Sequence, residues 1–456
     1  MVRPASAAHR AKQANFYRIQ IMKSPAVKRI SFSKAVIANP KRHAKPTPAL
    51  VERIFPYYAG YSKTFAEQLL RSVAIGRNSL VLDPWNGSGT TTHAASQLGI
   101  NSIGLDLNPV MVIVAKASLL PIQDSASLLP LALSLVEQSI VRNEHELSED
   151  PLCEWLVPES ALFVRQLEAE INRTLISHNQ YTSLKTKETV NHISALGAFF
   201  YVGLFRTVRR ILESFIPTNP TWIKRPANLQ QRKRPSRKKF HESFVDEIRL
   251  LTKQIAGADN LLAEEISAPT IGLGNAEALS LPNASVDLIV TSPPYCTRID
   301  YAVATAIELA VLRFDEQLHD QLRRSLMGTS TVKAKSGTVN SAWGGTCVRF
   351  LEAMYNHPSK ASRSYYFKNH LQYFESLYIS ISELSRVLKP QGSCVLVVQD
   401  SFYKDVHNDV PAIVIEMASH VGMSIRRRDD FTANRSMVGL NRHAKTYYSI
   451  PNSMIS

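Results

Sequence analysis

The residues best suited to chemistry in this 456-residue chain are Thr291-Ser292-Pro293-Pro294-Tyr295. They follow the apolar run 286–290, which predicts a buried strand. Two consecutive prolines cannot continue a hydrogen-bonded ladder, and they stiffen the backbone beyond the strand. The strand therefore ends in a fixed carbonyl and a fixed aromatic ring at the sheet edge where open α/β folds bind ligands. Rigid hydrogen-bond acceptors beside an aromatic ring suit a flat base that carries an amino group.

A glycine-containing loop forms the second candidate site. It follows a predicted strand at 79–83 and reads Asp83-Pro84-Trp85-Asn86-Gly87-Ser88-Gly89-Thr90-Thr91. It has no lysine, so it is not a P-loop, and it lacks the third glycine of a dinucleotide fingerprint. Asp83 suits a cationic amine, and Asp106, at the end of the next predicted strand, suits a ribose hydroxyl. Together they favour S-adenosylmethionine, a nucleoside with a cationic amino-acid tail; a purely structural turn is the alternative.

The elements around these motifs predict an α/β fold with a mostly parallel sheet. The pattern runs helix, strand, helix, strand up to about residue 117, and it returns at Thr270. The predicted helices are 64–73, 90–98, 373–388 and 411–421, and the predicted strands are 79–83, 102–106, 286–291, 393–398, 423–428 and 445–450.

Four segments follow from this reading. Residues 1–48 form a basic extension that we expect to be flexible, and residues 49–118 carry the glycine loop. Residues 119–265 interrupt the α/β pattern with predicted helices and a proline-containing basic loop, and residues 266–456 carry the Ser-Pro-Pro-Tyr motif. The helices predicted in the interruption are 121–140, 159–177, 189–214 and 241–257.

The charge of the chain favours a polyanionic partner. The net charge is +15, and residues 1–51 contain eleven Lys and Arg but no Asp or Glu. Clustering in two blocks favours nucleic acid over a diffuse solvated surface. A soluble protein with a basic tail and an organelle transit peptide are the alternatives. The second block consists of Lys224, Arg225, Arg232, Lys233, Arg234, Arg237, Lys238 and Lys239.

Other classes are disfavoured by the composition. No run of about 18 apolar residues predicts a membrane helix, and no signal peptide is evident. The four cysteines have no C-x-x-C spacing, so neither a zinc site nor a disulfide framework is indicated, and no metal is expected. A reducing cytoplasm fits this pattern best.

The motifs together resemble those of the amino-group DNA methyltransferases, which modify cytosine N4 or adenine N6. The resemblance covers about residues 50–118 and 268–400. Here the cofactor motif precedes the catalytic motif, which implies a circular permutation or a recognition region between the two. Trp85 stands where phenylalanine is usual. Further similar stretches are Phe55-Pro56-Tyr57-Tyr58-Ala59-Gly60-Tyr61, Asn275-Ala276-Glu277-Ala278-Leu279 and Arg386-Val387-Leu388-Lys389-Pro390-Gln391-Gly392.

This resemblance implies a Rossmann-like class I methyltransferase sheet with an antiparallel last strand, S-adenosylmethionine as cofactor, and double-stranded DNA as substrate. Residues 119–265 become the candidate recognition region. A cognate restriction endonuclease is an implied partner. The implied cofactor residues are Tyr57, Asp83, Pro84, Trp85, Gly87, Gly89, Thr90, Asp106 and Glu277, and the implied catalytic residues are Ser292, Pro293, Pro294 and Tyr295.

The chemistry requires two acceptors, because the lone pair of an exocyclic amine is delocalised into the ring. Ser292 Oγ and the Pro293 carbonyl are the expected acceptors, Tyr295 would stack on the base, and the base must be flipped out of the duplex. Serine at position 292 favours cytosine N4, with adenine N6 as the alternative. An RNA amino-methyltransferase, a protein glutamine methyltransferase and a basic nucleic-acid-binding protein with an inactive fold are further rivals.

Several residues near the motifs have two interpretations. Asp300 either orients the base or caps the following helix, and the cap is favoured. Arg298 either contacts DNA phosphate or pairs with Asp300, and the loop at 343–345 either closes over the site or is ordinary surface. We expect structural roles for Cys296 and for His93 and His420.

Overall fold

The computed structural model describes residues 15–23, 40, 54–55, 60–73, 75–76, 78–139, 149–176, 180–217, 222–256, 267–297, 299–332 and 337–432. Tyr57, Arg298 and the strand predicted at 445–450 lie outside these ranges.

The first part of the chain alternates strands and helices around the glycine loop. Asn108 caps the last of these helices, because its Oδ1 accepts from Val110 N over 3.1 Å. The elements are β1 (Asn15–Met22), α1 (Lys63–Ser72), β2 (Leu80–Asp83), α2 (Thr90–Gln97), β3 (Asn101–Asp106) and α3 (Pro109–Ala117).

A helical region follows, as expected for residues 119–265. Its elements are α4 (Ser125–Ser139), α5 (Pro158–Leu175), α6 (Lys187–His192), α7 (Ala195–Ile211) and α8 (Arg237–Ala256). The single helix predicted at 189–214 is wrong, because the chain breaks after His192. Ser194 caps α7 by accepting from Gly197 N over 3.1 Å, and buried Lys116 donates to the Ile193 carbonyl over 3.0 Å.

The last part of the chain returns to strands and helices. The predicted helix at 373–388 begins earlier, at Phe367, and the predicted strand at 393–398 begins at Leu388. The elements are β4 (Thr270–Leu273), β5 (Val286–Thr291), α9 (Tyr301–Ala304), α10 (Ala306–Val311), α11 (Glu316–Ser325), α12 (Gly345–Asn356), α13 (Phe367–Val387), β6 (Leu388–Gln399), β7 (Ser401–Tyr403), β8 (Val406–Asn408), α14 (Val410–His420) and β9 (Ser424–Thr432).

Seven strands form one sheet in the order β4-β3-β2-β5-β6-β1-β9. The pairs β3–β4, β2–β3, β2–β5 and β5–β6 are parallel, whereas β1 runs antiparallel to both β6 and β9. The predicted fold class, a mostly parallel Rossmann-like sheet with one antiparallel strand, is confirmed. Among the described strands of this sheet the antiparallel one is β1, and the last predicted strand, 445–450, lies outside the described residues.

Strand β1 also corrects the expectation of a flexible N-terminal extension for its residues. Tyr17, Ile19 and Ile21 alternate along β1 and pack in one hydrophobic core. Ile19 lies opposite Leu396 on β6 and Arg428 on β9. The strand therefore fills the gap between two parallel strands and satisfies backbone groups that would otherwise form unpaired edges.

Helices cover the sheet so that the carboxyl ends of β2, β3, β4 and β5 meet at one edge. Helices α3, α7 and α8 share one core, while α13 and α14 pack with β1 and β6 in another. In the described ranges no single helix is long and apolar enough to cross a membrane. Two consecutive helices, Pro109–Ala117 and Ile122–Ser139, are long and apolar enough only when taken together, and the chain bends by 81° between them. Both predicted motifs thus lie at the sheet edge where parallel sheets bind ligands.

Candidate active site

One pocket at this edge brings the two predicted motifs together. It is lined by the glycine loop, by the ends of β3 and β4, and by the Ser-Pro-Pro-Tyr turn. Of the predicted residues, Gly89 does not line it. Those that do are Asp83, Pro84, Trp85, Gly87, Thr90, Asp106, Glu277, Ser292, Pro293, Pro294 and Tyr295.

The glycine loop is shaped by two residues with positive φ. Gly87 has φ +49° and Gly89 has φ +87°, a region that residues with a side chain rarely adopt. A Cβ on Gly89 would lie 3.0 Å from Ala115 Cβ, so α3 leaves room only for glycine. Gly87 N donates to Asp106 Oδ2 over 2.9 Å, which fixes the loop against the end of β3.

Asp83 is buried at the centre of a hydrogen-bond network. It accepts from Thr291 Oγ1 over 2.6 Å, from Trp85 N over 3.2 Å, from Tyr61 OH over 3.4 Å and from Thr91 Oγ1. Burial raises the pKa of Asp83 to about 6, although these hydrogen bonds oppose the shift. The carboxylate therefore ties the ends of β2 and β5 to the start of α2, and its donors all come from the protein.

Asp106 has a different environment, because it faces the pocket with acceptor capacity to spare. Oδ1 accepts from Asn108 N over 2.8 Å and Oδ2 from Gly87 N over 2.9 Å, which leaves further lone pairs on both oxygens. Burial raises the pKa of Asp106 to about 6, and the backbone donors oppose the shift. The arrangement suits hydrogen bonds from vicinal hydroxyl groups such as those of a ribose.

The end of β4 forms the adjacent side of the pocket. Gly274 N donates to the Asp106 carbonyl over 3.1 Å, which continues the register of β3 and β4 beyond the strands. Asn275 Oδ1 accepts from Glu277 N over 2.9 Å and closes a tight turn. Glu277 is half-buried and lines the pocket beside Asp106.

The Ser-Pro-Pro-Tyr turn lines the same pocket. Ser292 Oγ donates to the Val397 carbonyl over 2.8 Å, so its hydrogen is committed and its lone pairs remain for accepting. The Pro294 carbonyl accepts from Tyr373 OH over 2.9 Å. No donor from the described residues is assigned to the Pro293 carbonyl. Ser292 Oγ and the Pro293 carbonyl thus retain acceptor capacity at one turn.

Tyr295 is held by an aromatic contact from the N-terminal strand. Its ring lies edge-on to Phe16 of β1, with 6.0 Å between the centroids and 72° between the planes. Gly328, at φ +79°, lies close to the Tyr295 carbonyl, where a Cβ would approach to 3.3 Å. The ring that lines the pocket is therefore oriented by residues far away in sequence.

A family model described as DNA methylase, covering N6 and N4 methyltransferases, matches residues 27–117 and 286–455. These ranges hold both the glycine loop and the Ser-Pro-Pro-Tyr turn. The chain belongs to this DNA methylase family. Residues 118–285, which include the helical region, lie outside the match.

Curated relatives of the methylase carry the name Type II methyltransferase. M.BsoBI of Geobacillus stearothermophilus is 28% identical over 309 residues, which is 61% of this chain and 56% of the relative. M.AvaI of Nostoc sp. is 24% identical over 429 residues, or 87% of this chain and 83% of the relative. The chain thus spans about half the length of M.BsoBI and most of M.AvaI. No solved structure matches the methylase.

The segment after the turn settles how Asp300 is used. Asp300 caps α9 by accepting from Val303 N over 3.3 Å, and it pairs with Arg323 over 2.6 Å. The favoured capping interpretation is therefore confirmed. Trp343 is only 3% exposed and packs in a hydrophobic core, so it neither lines the pocket nor lies on the surface.

The predicted basic cluster divides into exposed and packed residues. Arg232, Lys233 and Arg237 are half-buried, and Arg237 Nη1 donates to Gln166 over 2.7 Å. Arg225 is exposed but pairs with Glu154. A stable basic surface remains on the loop before α8 and on its first turn. Its exposed members are Lys224, Arg225, Arg234, Lys238 and Lys239.

The sequence interpretation missed several pocket residues. Tyr61, Asn108, Tyr301 and Thr305 line the pocket through contacts with the motif residues. Tyr61 ends the stretch 55–61 that resembles a family motif, and Asn108 lies two residues after Asp106, so the positions of both residues were an available signal. Arg209 of α7 also lines the pocket, and nothing in its local sequence distinguishes it from the neighbouring arginines at 206 and 210.

Proposed function

We propose that the methylase is a site-specific DNA methyltransferase that transfers a methyl group from S-adenosylmethionine to cytosine N4 of a flipped base. The observation that carries this proposal is the pair of acceptors at the turn. The hydrogen of Ser292 Oγ is committed to the Val397 carbonyl, and the Pro293 carbonyl has no assigned donor from the described residues. Such a pair can receive both hydrogens of an exocyclic amine.

Two hydrogen bonds from the amine raise its reactivity. They draw the nitrogen out of conjugation with the ring and direct its lone pair toward the methyl group as charge develops. Tyr295, fixed by Phe16, would stack on the base and hold the nitrogen in line. The base reaches this turn only outside the duplex, so the cost of unstacking must be met by contacts in the pocket and to the DNA backbone.

The other half of the pocket supports S-adenosylmethionine as the methyl donor, which when bound supplies an electrophilic methyl group on a sulfonium. Asp106 would accept from its ribose hydroxyls, and Gly87 and Trp85 would contact it along the loop. Asp83 has its four donors within the protein. It would therefore act on the cationic tail through its charge and by holding the loop in place.

The basic surface before α8 supports duplex DNA as the substrate. Lys224, Arg234 and Lys239 are exposed there, and such side chains contact backbone phosphates in nucleic-acid complexes. Residues 119–265 would supply site recognition. The names of the relatives support a role in restriction–modification, in which methylation protects DNA from a cognate endonuclease.

The substrate class is tested with tritiated S-adenosylmethionine and equal masses of duplex DNA, RNA and protein, in separate and in mixed reactions. We expect label in duplex DNA. Label in RNA and in protein should not exceed the background that the Ser292→Ala variant gives with the same substrates. Label confined to RNA or to protein would reject DNA as the substrate and favour one of the rival methyltransferase classes.

A further inference from the structure

Within its described ranges, the helical region lines the cofactor pocket through one residue, Arg209. This arginine lies on α7 and lines the pocket beside residues of both motifs. Its side chain is 12% exposed. Among the described residues that line the pocket, it is the one Lys or Arg, so the helical region contributes a largely buried cation to the wall.

Arg209 holds the segment that follows the Ser-Pro-Pro-Tyr turn. Nε donates to Glu308 Oε1 over 2.6 Å, and Nη2 donates to Glu308 Oε2 over 2.8 Å and to the Ala304 carbonyl over 2.9 Å. The Glu308 side chain is fully buried. Ala304 ends α9, where carbonyls lack helical partners, so the guanidinium caps this helix. A planar fork is required for all three bonds, which lysine cannot make.

The capped segment is itself part of the pocket wall. Tyr301, Ala304 and Thr305 line the pocket, and Thr305 Oγ1 accepts from Asn108 Nδ2 over 2.9 Å. Asn108 follows Asp106 by two residues, so this bond joins the post-turn segment to the ribose side of the pocket. Arg209 Cζ also lies 5.7 Å from the ring centroid of Phe55, another lining residue. One guanidinium therefore contacts two sides of the wall.

We propose that Arg209 is a positioning residue through which the helical region sets the wall of the cofactor pocket and hence its affinity for S-adenosylmethionine. The inference rests on the proposed function, because it takes this pocket to be the cofactor site. Arg209 acts through Ala304, Glu308 and Phe55, not on the reacting atoms. Its loss is therefore expressed in cofactor binding more than in the rate of the chemical step.

A matched control lies on the neighbouring helix α5. Arg165 donates to the Ala310 and Val311 carbonyls, both over 2.6 Å, and pairs with Asp150 over 2.6 Å. It is a fully buried arginine of the helical region that binds the end of α10, as Arg209 binds the end of α9. Arg165 does not line the pocket. Replacement of Arg165 therefore shows what the loss of a buried arginine that anchors a helix end does when that arginine does not contact the pocket wall.

The test compares cofactor affinity, measured by calorimetry, and steady-state kinetics in three variants. Arg209→Met with Glu308→Met removes the buried pair together, because replacing both charges by apolar groups preserves folding better than stranding one. We expect its Kd for S-adenosylmethionine to rise about tenfold or more. Arg209→Lys should raise the Kd for S-adenosylmethionine by an intermediate factor, while kcat at saturating cofactor stays within about threefold of wild type. Arg165→Lys should lower the unfolding temperature, while the Kd for S-adenosylmethionine stays within about twofold of wild type.

Three results separate the possibilities. If both Arg209 variants bind S-adenosylmethionine with the wild-type Kd, the positioning role is wrong and the proposed function stands. The same holds if Arg165→Lys raises this Kd as much as the Arg209 variants do. If the double variant unfolds, Arg209→Lys alone decides, and an unchanged KM for the cofactor rejects the role. If the wild-type protein binds no S-adenosylmethionine, the proposed function fails first, and the inference fails with it.

Discussion

At the scale of single residues, the chemistry depends on where hydrogens are already committed. Ser292 Oγ gives its hydrogen to the Val397 carbonyl, and the Pro294 carbonyl is taken by Tyr373. The oxygens that remain are those an amine can use. The sequence indicates a serine followed by two prolines, but the commitment of each oxygen depends on β6 and α13, which lie about a hundred residues further along the chain.

Replacement of Ser292 tests this assignment. We expect Ser292→Ala to lower kcat about 100-fold or more, because one of two preorganised groups at the reacting amine is lost. The Kd for S-adenosylmethionine should stay within about twofold, since in the proposed arrangement Ser292 accepts from the base and does not contact the cofactor's amino-acid end. Stopped-flow methyl transfer and calorimetry measure the two quantities.

Ser285→Ala serves as the matched control. Ser285 Oγ donates to the Pro282 carbonyl at the other end of β5, and the residue is half-buried. Its removal should leave both kcat and Kd unchanged. Full activity in Ser292→Ala would show that another group accepts from the amine.

If Asp106 binds the ribose as proposed, cofactor binding should depend on pH. Burial raises its pKa to about 6, so the carboxylate begins to take up a proton below neutral pH. Affinity for S-adenosylmethionine should fall about tenfold between pH 7 and pH 5, because the protonated form accepts hydroxyl hydrogens less well. Asp106→Asn should bind more weakly at pH 7 and show a smaller pH dependence. An equally steep profile in that variant would assign the titration to Asp83 instead.

The raised pKa of Asp106 should affect the stability of the fold in the opposite direction, because stability should fall, and not rise, as the pH increases. The pKa of Asp106 rises from 3.8 to about 6, so the folded chain holds this proton more tightly than the unfolded chain. This contribution to stability is therefore largest below pH 3.8 and is lost as the pH rises toward 6.

At the scale of elements, the N-terminal strand is the main departure from the sequence interpretation. The basic charge of residues 1–51 indicated an extension, yet Asn15–Met22 pairs with β6 and β9 at the centre of the antiparallel edge. The alternation of Tyr17, Ile19 and Ile21 was a signal for a strand. Its partners were not predictable, because they lie nearly the whole chain away.

Ile19 tests whether β1 is part of the folded sheet. Its side chain is 0% exposed, so Ile19→Ala should lower the free energy of unfolding by about 2–5 kcal/mol. Ile425 on the neighbouring strand β9 is 46% exposed, and Ile425→Ala should cost less than about 1 kcal/mol. Urea unfolding gives both values. Equal and small effects would mean that β1 contributes nothing to the core.

The local elements were predicted well for a physical reason. The β2–α2–β3 unit and the turn after β5 depend on apolar runs, glycines and prolines within short stretches of chain, so their residues indicate their structure. The break after His192 depends on Lys116, and the orientation of Tyr295 depends on Phe16. Arg209 belongs to this second kind, because its contacts with Ala304 and Glu308 join distant parts of the chain and follow from no motif.

At the scale of the whole molecule, the chain is strongly basic and carries an exposed group of Lys and Arg before and on α8. The net charge is +15, and exposed Lys224, Arg234 and Lys239 share the surface before and on α8. Each phosphate contact contributes about −0.9 to the slope of log K against log salt concentration. The affinity for DNA should therefore fall steeply with salt.

Removal of two charges from this surface tests its role. Arg234→Gln with Lys239→Gln should reduce the magnitude of the salt slope by about 2, as measured by fluorescence anisotropy on duplex DNA. Lys187→Gln with Lys253→Gln removes the same charge from exposed positions on α6 and α8. This control should change the slope much less. Equal changes in both pairs would indicate a diffuse electrostatic effect and no specific DNA surface.

The identity of the methylated nucleoside tests the central claim most directly. Duplex DNA is incubated with the wild-type protein and S-adenosylmethionine carrying a deuterated methyl group, then digested to nucleosides and analysed by mass spectrometry. The arrangement of Ser292, Pro293 and Tyr295 predicts labelled N4-methylcytosine, formed about 100-fold or more slowly in the Ser292→Ala reaction. Labelled N6-methyladenine would retain amine methylation but contradict cytosine as the base, and label on a ring carbon or no label in DNA would contradict the whole account.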